Sequence, residues 1–373
     1  MMYGRGNNFA SWKQEVQGEH FSNAFQIISE LPTSNILDKE PFGFSDGISQ
    51  PKIDWDNQQS TEIHTRDRYS NLLAKGEVVL GYKNEYGYYT DRPLINVGVD
   101  PQACILPDAE DKPGLKDLGR NGSYLICRQL SQDVQGFWRF MQEQAGDNRE
   151  QLAAAMVGRQ LDDKGTPLIT ELGQNIPGIE NKDNNFNYDQ DPVGNQCPIS
   201  AHIRRSNPRT GDLSAGPPGL ISRLKRKLGF GLKPEDDLVT STRYHRLLRR
   251  GRAYGTMLSP EQAIVSKEKN ADRGLQFICL AGNISRQFEF VQNAWNDNSK
   301  FSGLQQQSDP ILGNRHKLLD GEASNQFHQP QAAGPQHKTC QLPQFVTVRG
   351  GGYFFMPGLR ALQYLTTLTD VPE

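Results

Sequence analysis

Two short apolar runs, each followed at once by an aromatic-rich helical pattern, limit the fold of this chain more than any other feature. The first run is Ser123–Arg128 (SYLICR). Behind it, LSQDVQGFWRFMQEQAG carries Val134, Phe137, Trp138 and Met141, the spacing of one helix face. The second is Gly274–Leu280 (GLQFICL), followed by ISRQFEFVQNAW with Ile284, Phe288, Val291 and Trp295. Two further runs, Glu77–Lys83 (EVVLGYK) and Phe345–Phe355 (FVTVRGGGYFF), have the β-branched and aromatic content of strands. A further helix is expected over Arg149–Arg159. Strands that each lead into a helix predict an α+β chain, and the likeness of the two units predicts two related halves.

The size, 373 residues, suits two domains or one large one with insertions. A net charge of −2 offers no basic face for nucleic acid. No stretch approaches the roughly 18 apolar residues of a membrane span, and MMYGRGNNFASW has no apolar signal core. The chain as written therefore reads as soluble and cytoplasmic. Its five cysteines include no CxxC pair, which argues against a structural zinc site. Cys127 and Cys279 lie inside apolar runs and are expected to be buried free thiols. The stretch from Ser214 to Asp237, with SRLKRKLGFGLKP, reads as a solvated surface insertion.

Three constellations carry possible chemistry. In GFSDGISQP, Asp46 sits between Gly43 and Gly47, glycines that permit tight turns and close backbone approach to a ligand; taken alone, this is as well read as an ordinary Asp-Gly turn. In CPISAHIRRSNPR, His202 precedes Arg204, Arg205 and Arg209. A neutral imidazole can ligate haem iron, and guanidinium groups suit carboxylates. In HRLLRRGRAYG, Arg249 and Arg250 run into Gly251, where an arginine could face a small anion or developing negative charge.

Together these segments resemble one family, the dye-decolorising haem peroxidases. GFSDGISQP is similar to its GxxDG signature, AHIRRSNPR to its proximal histidine segment and LLRRGRAYG to its distal arginine segment. NGSYLICRQLSQDV, RGLQFICLAGNISRQFEFVQNAW and FVTVRGGGYFFMPG follow in the family's order, so the resemblance runs from about Pro41 to Pro357. It implies two ferredoxin-like α+β domains, antiparallel sheets with helices, sandwiching haem. These would be residues 1–160, carrying GFSDG and incomplete, and 161–373, holding the haem, with the insertion at 214–237. It implies one haem b per chain, with His202 as the iron ligand, Asp46 as the distal acid–base and Arg249, rather than its neighbour Arg250, as the charge stabiliser. Arg205, Gly47, Ile48, Leu275 and Phe277 would contact the cofactor. Glu289 and Asp309 are alternative partners for the second nitrogen of His202.

The same resemblance implies hydrogen peroxide and a dye or phenolic reductant as partners, with neither nucleic acid nor membrane involved, and it is compatible with a homo-oligomer. Tyr254, Trp295 and Tyr353 are the candidates for oxidising bulky substrates at the surface. Two departures stand out. His202 and Arg249 are 47 residues apart, a long spacing that the insertion accounts for. Only 42 residues precede Gly43, fewer than the family's first strands and helix need, so an incomplete first domain is expected, and a targeting signal could lie on a missing N-terminus. A haem-handling protein without turnover and an inactive fragment are the competing readings; a carrier would need neither Asp46 nor Arg249.

Overall fold

The structure, a computed structural model, describes residues 8–28, 30–34, 39–57, 69–169, 176, 178–211, 241–267, 271–315, 324–331 and 333–367. The chain divides into two compact units, Met1–Thr33 and Ser34–Glu373. In the first, helices α1 (Phe9–Val16) and α2 (Glu19–Ala24) bury no residue.

The second unit is α+β. Its short strands are β1 (Lys52–Asp54), β2 (Leu72–Ala74), β3 (Leu94–Asn96) and β4 (Leu115–Asp117), and its long ones begin with β5 (Ser123–Gln132). Helices α3 (Val134–Ala145), α4 (Arg149–Val157) and α5 (His202–Ser206) follow. Then come β6 (Leu248–Arg249), β7 (Arg252–Tyr254), α6 (Pro260–Val265), β8 (Gly274–Ala281), β9 (Phe327–Gln329), β10 (His337–Thr339), β11 (Val346–Met356) and α7 (Leu359–Thr367). A five-stranded antiparallel sheet organises this unit. β5 lies between β11 and β8, and β8 carries β6 and β7 on its other side. Side chains alternate between the faces of a strand, so Arg128 and Leu130 on β5 share a face with Leu275 and Phe277 on β8, and all four line one cavity. The sheet draws strands from both sides of residue 160, so the expected division there runs through it. One pair, β1 with β2, is parallel.

The first strand–helix unit forms as its pattern predicts. Asp133 caps α3, its carboxylate accepting from the Gly136 amide at 2.8 Å; a capping side chain satisfies one of the amides left open at a helix start. Val134, Phe137, Trp138 and Met141 are all fully buried. Phe42 packs on Phe137 with ring centroids 4.4 Å apart, and the Trp138 indole donates to the Phe42 carbonyl at 3.2 Å. α4 ends at Gly158, whose φ of 98° favours glycine. After β8, the predicted helix is present but wide. Its segments Ser285–Glu289 and Val291–Asn296 are π-helical, with the Glu289 amide donating five residues back to Ile284 at 3.0 Å.

One predicted strand is absent. Glu77–Lys83 is not extended: a 3₁₀ turn over Lys75–Glu77 leads into further turns. The chain folds back so tightly that the Gly76 amide donates to the Lys83 carbonyl at 3.0 Å, and Gly81 adopts a φ of +84°. Val78 and Leu80 are buried, so their apolar character reflects packing of a compact loop rather than a strand. The five cysteines are free; Cys197 and Cys279 are buried, Cys127 is half-buried, and Cys104 and Cys340 are exposed. The insertion at 214–237 lies outside the described residues. Among the described residues no helix is long and apolar enough to cross a membrane.

The core around α3 should be the least tolerant part of the chain. Phe137→Ala removes a fully buried ring and is expected to cost about 3–5 kcal/mol, read as a lowered midpoint in urea unfolding.

Candidate functional site

A cavity of about 690 Å³ opens against the sheet. His202, the first residue of α5, reaches it from one element. Its Nδ1 lies 2.8 Å from Asp309 Oδ2, and Asp309 is fully buried. The other oxygen, Oδ1, accepts from the amides of Ile311 and Leu312, both at 2.8 Å. A carboxylate held this way accepts a hydrogen bond from Nδ1–H, so that in the neutral ring Nε2 carries the lone pair. Burial alone would pull the His202 pKa down, and the Asp309 carboxylate reverses this and raises it. For Asp309, burial pushes upward, but the imidazole and the amides hold its pKa below the ordinary value. Of the two acids expected as partners of His202, the geometry selects Asp309 over Glu289.

Asp46 reaches the same cavity from a loop whose turns need glycine: Gly43 has φ +106° and Gly47 φ +83°. Arg249, on β6, places Nη1 3.1 Å from Asp46 Oδ1, while its amide donates to Gln50 Oε1 at 3.0 Å. Arg250 is exposed and turns its guanidinium to the Arg249 carbonyl, so Arg249 is the arginine of the pair. Both partners are about 30% exposed. Such a pair adds little stability, and its value lies in where it puts the charges. Gly47, Ile48, Leu275 and Phe277 complete this part of the wall.

No family model matches the chain. Among curated relatives, it is 34% identical over 257 residues to the multifunctional dye peroxidase DyP2 of an Amycolatopsis species, covering 65% of this chain and 49% of that one. It is 29% identical over 343 residues to the dye-decolorizing peroxidase msp1 of Mycetinis scorodonius, covering 87% and 56%. Both of these relatives are dye peroxidases, and the chain is similar to them along much of its length. A solved structure of an ancestral D-type dye decolorizing peroxidase superposes with a TM-score of 0.57 at 26% identity, over 90% of this chain and 64% of that one. A decolorizing peroxidase from Auricularia auricula-judae gives 0.63 over 94% and 70%; at 23% identity that likeness speaks for the fold alone. The chain spans about half the length of the curated relatives it matches first.

One expected cofactor contact is elsewhere. Arg205 does not line the cavity. Its guanidinium is fully buried and donates to the carbonyls of Trp295, Gln307 and Asn298, so it ties together the chain behind His202. Arg204 is likewise engaged, with Asp191 at 3.0 Å and the Cys197 carbonyl. Arg209 does line the cavity, joined by two arginines that the motifs did not single out, Arg159 and Arg246. Arg159 donates to the carbonyls of Gly165 and Asp183 and to Ser49 Oγ; Arg246 donates to the Tyr69 hydroxyl and Asn71 Oδ1. Arg246 stood next to His245 in a segment already suspected; Arg159 had no local signal. Glu40 also lines the cavity, three residues before the signature. Of the surface-oxidation candidates, Tyr254 and Trp295 are buried and Tyr353 is 44% exposed.

Arg205→Met should destabilise the chain by about 3 kcal/mol or more, because it strands three buried carbonyls. A thermal melt unchanged from wild type would contradict this bracing role.

Proposed function

We propose that this chain is a haem peroxidase that reduces hydrogen peroxide while oxidising dyes or phenolic compounds. The observation that carries this reading is that two pairs, His202–Asp309 and Asp46–Arg249, open on one cavity. The chain's relatives named as dye peroxidases support it.

The residues present fit a haem. His202 offers Nε2 as a ligand with its tautomer fixed from behind. Leu130, Leu275, Phe277 and Ile203 give an apolar wall, as planar cofactor sites require. The arginines Arg159, Arg209 and Arg246 suit the two carboxylates of haem b, and the Tyr188 hydroxyl and Asn207 Oδ1 are buried polar atoms of the same wall without a protein partner. When bound, haem supplies the electron-transfer chemistry, and the protein supplies binding, orientation and charge.

The remaining roles belong to side chains. Asp46 is the proton carrier: with haem bound, its carboxylate would take a proton from one peroxide oxygen and pass it to the other. A carboxylate does this without moving its backbone if peroxide lies within hydrogen-bond reach. Arg249 pairs with Asp46 and balances negative charge as the O–O bond separates. Gly47, without a side chain, and Ile48 let the backbone approach the cofactor, while Leu275 and Phe277 keep bulk water from the proton path.

The test is reconstitution of the full chain with haem, followed by peroxide and a dye. His202→Ala should lose the wild-type Soret band. Asp46→Asn and Arg249→Leu should keep it, while the reaction with peroxide slows about 100- to 10,000-fold for Asp46→Asn and about 100- to 1,000-fold for Arg249→Leu. Stopped-flow rates equal to wild type in both variants would refute the assignment of this pair.

A further inference from the structure

The loop that presents Asp46 is held by a carboxylate that the proposed chemistry does not use. Glu40 Oε2 accepts from the Phe42 amide at 3.0 Å and from Gln132 Nε2 at 2.7 Å, and its Oε1 accepts from the Phe44 amide at 3.0 Å. The turn is closed further by the Glu40 amide donating to the Phe44 carbonyl at 2.9 Å and the Gly43 amide donating to the Glu40 carbonyl at 2.8 Å. Ser45 and Asp46 follow directly, and Ser45 Oγ donates to the Asp162 carbonyl at 3.0 Å. Glu40 and Gln132 both line the cavity. A second observation points to the same pair: Gln132 Oε1 is buried and has no hydrogen-bond partner.

We propose that Glu40 and Gln132 form a proton-dependent clamp on the turn that carries Asp46, making Glu40 the positioning residue of that aspartate. This rests on the reading of Asp46 as the proton carrier. With Glu40 ionised, all three donors are satisfied and Gln132 must point its Nε2 at the carboxylate, which leaves Oε1 orphaned. With Glu40 protonated, the new O–H needs an acceptor. A half-turn of the Gln132 amide supplies Oε1 for it and turns Nε2 away. The carboxyl then accepts one amide bond fewer in full strength, and the Phe42 amide, which shares Oε2, is the one weakened.

The charge balance supports a change of state in the working range. Burial pushes Glu40 up to about 7, against the pull of the Phe42 amide, Gln132 and the Phe44 amide, and the negative charge of Asp46 pushes in the same direction as burial. Asp46 is the charged group that acts on it, and Arg249 faces Asp46 from β6. Since the folded-state pKa lies above the ordinary 4.5, Glu40's contribution to folding is full below that value and is lost as pH rises toward about 7. The ionised clamp is thus the tighter grip on the loop and the more costly state of the chain.

The test compares wild type with Glu40→Gln, which mimics the protonated form, and with Gln132→Leu. Hydrogen exchange of the 40–47 segment in the full chain, corrected for intrinsic rates, is measured at pH 5.5 and pH 8. Wild type should be about tenfold better protected at pH 8, the equivalent of one hydrogen bond of about 1.4 kcal/mol. Glu40→Gln should be as exposed at both pH values as wild type is in acid, and Gln132→Leu should lose part of the step. In haem-loaded protein, Glu40→Gln should keep the Soret band, and its peroxide rate should lose the change near pH 7 that wild type shows. Equal exchange in wild type and Glu40→Gln at both pH values overturns the clamp, as does a peroxide pH profile that Glu40→Gln leaves unchanged. A wild-type chain that takes up no haem, with the exchange step intact, would instead count against the proposed activity and leave the clamp supported.

Discussion

Burying Asp309 is the arrangement on which the rest of the site depends. A carboxylate removed from water is costly unless it is fully paired and hydrogen-bonded. Here one oxygen meets His202 and the other meets two amides of its own turn. Those amides are presented only if residues 309–312 keep their turn, and the chain braces that turn with buried cations. Arg315 donates to the carbonyls of Asp309, Pro310 and Gly313, and Arg205 donates to those of Gln307, Trp295 and Asn298. For both arginines burial lowers the pKa to about 10, and Asp309 opposes it. The imidazole is therefore held by a carboxylate that is itself held by two guanidinium groups spent on backbone.

The opposite part of the cavity is built by a different device. Asp46 stands on a loop, and loops position side chains loosely unless something fixes them. Three groups do so. The Trp138 indole takes the Phe42 carbonyl, the Glu40 carboxylate takes the Phe42 and Phe44 amides, and Arg249 meets the Asp46 carboxylate itself. Trp138 belongs to the α3 core and Arg249 to the sheet, so the loop is referenced to both layers. The His202 side is rigid by burial, whereas the Asp46 side is rigid by a few polar contacts whose strength depends on protonation.

How much of this was legible in the sequence follows from range. The α3 face and the long strands were readable because their signals repeat locally at periods of 3.6 and 2. The Asp46–Arg249 pair was inferred from motifs, yet it joins residues 203 positions apart, which no local pattern encodes. The EVVLGYK run misled because burial of a compact loop and burial of a strand select the same residue types. Arg205 misled for a related reason: an arginine beside a ligand histidine can face the ligand or brace the histidine's own backbone, and only the three-dimensional path of residues 295–307 decides between them. Glu40 was passed over because its importance lies in hydrogen bonds to main-chain amides, which leave no mark on the sequence beyond one glutamate.

The distribution of charge on the cavity wall argues for the kind of guest it suits. Five arginines line it, Arg128, Arg159, Arg209, Arg246 and Arg249, against the carboxylates of Glu40, Asp46 and Asp297. Asp46 is matched to Arg249, and Asp297 accepts from Asn314 and Gln292. Arg159 and Arg246 are nearly fully buried and donate to neutral oxygens. Neutral partners satisfy the hydrogen bonds of a guanidinium but not its charge; Asp183 near Arg159 and Glu85 near Arg246 offset burial only in part, and the pKa of both is lowered. A neutral occupant would leave that cost in place. An occupant bearing carboxylates would remove it, so part of its affinity would come from relieving the protein's own electrostatic strain, and that part would be weakly screened by salt because these groups are buried. The same excess of positive charge disfavours a cationic guest inside the cavity.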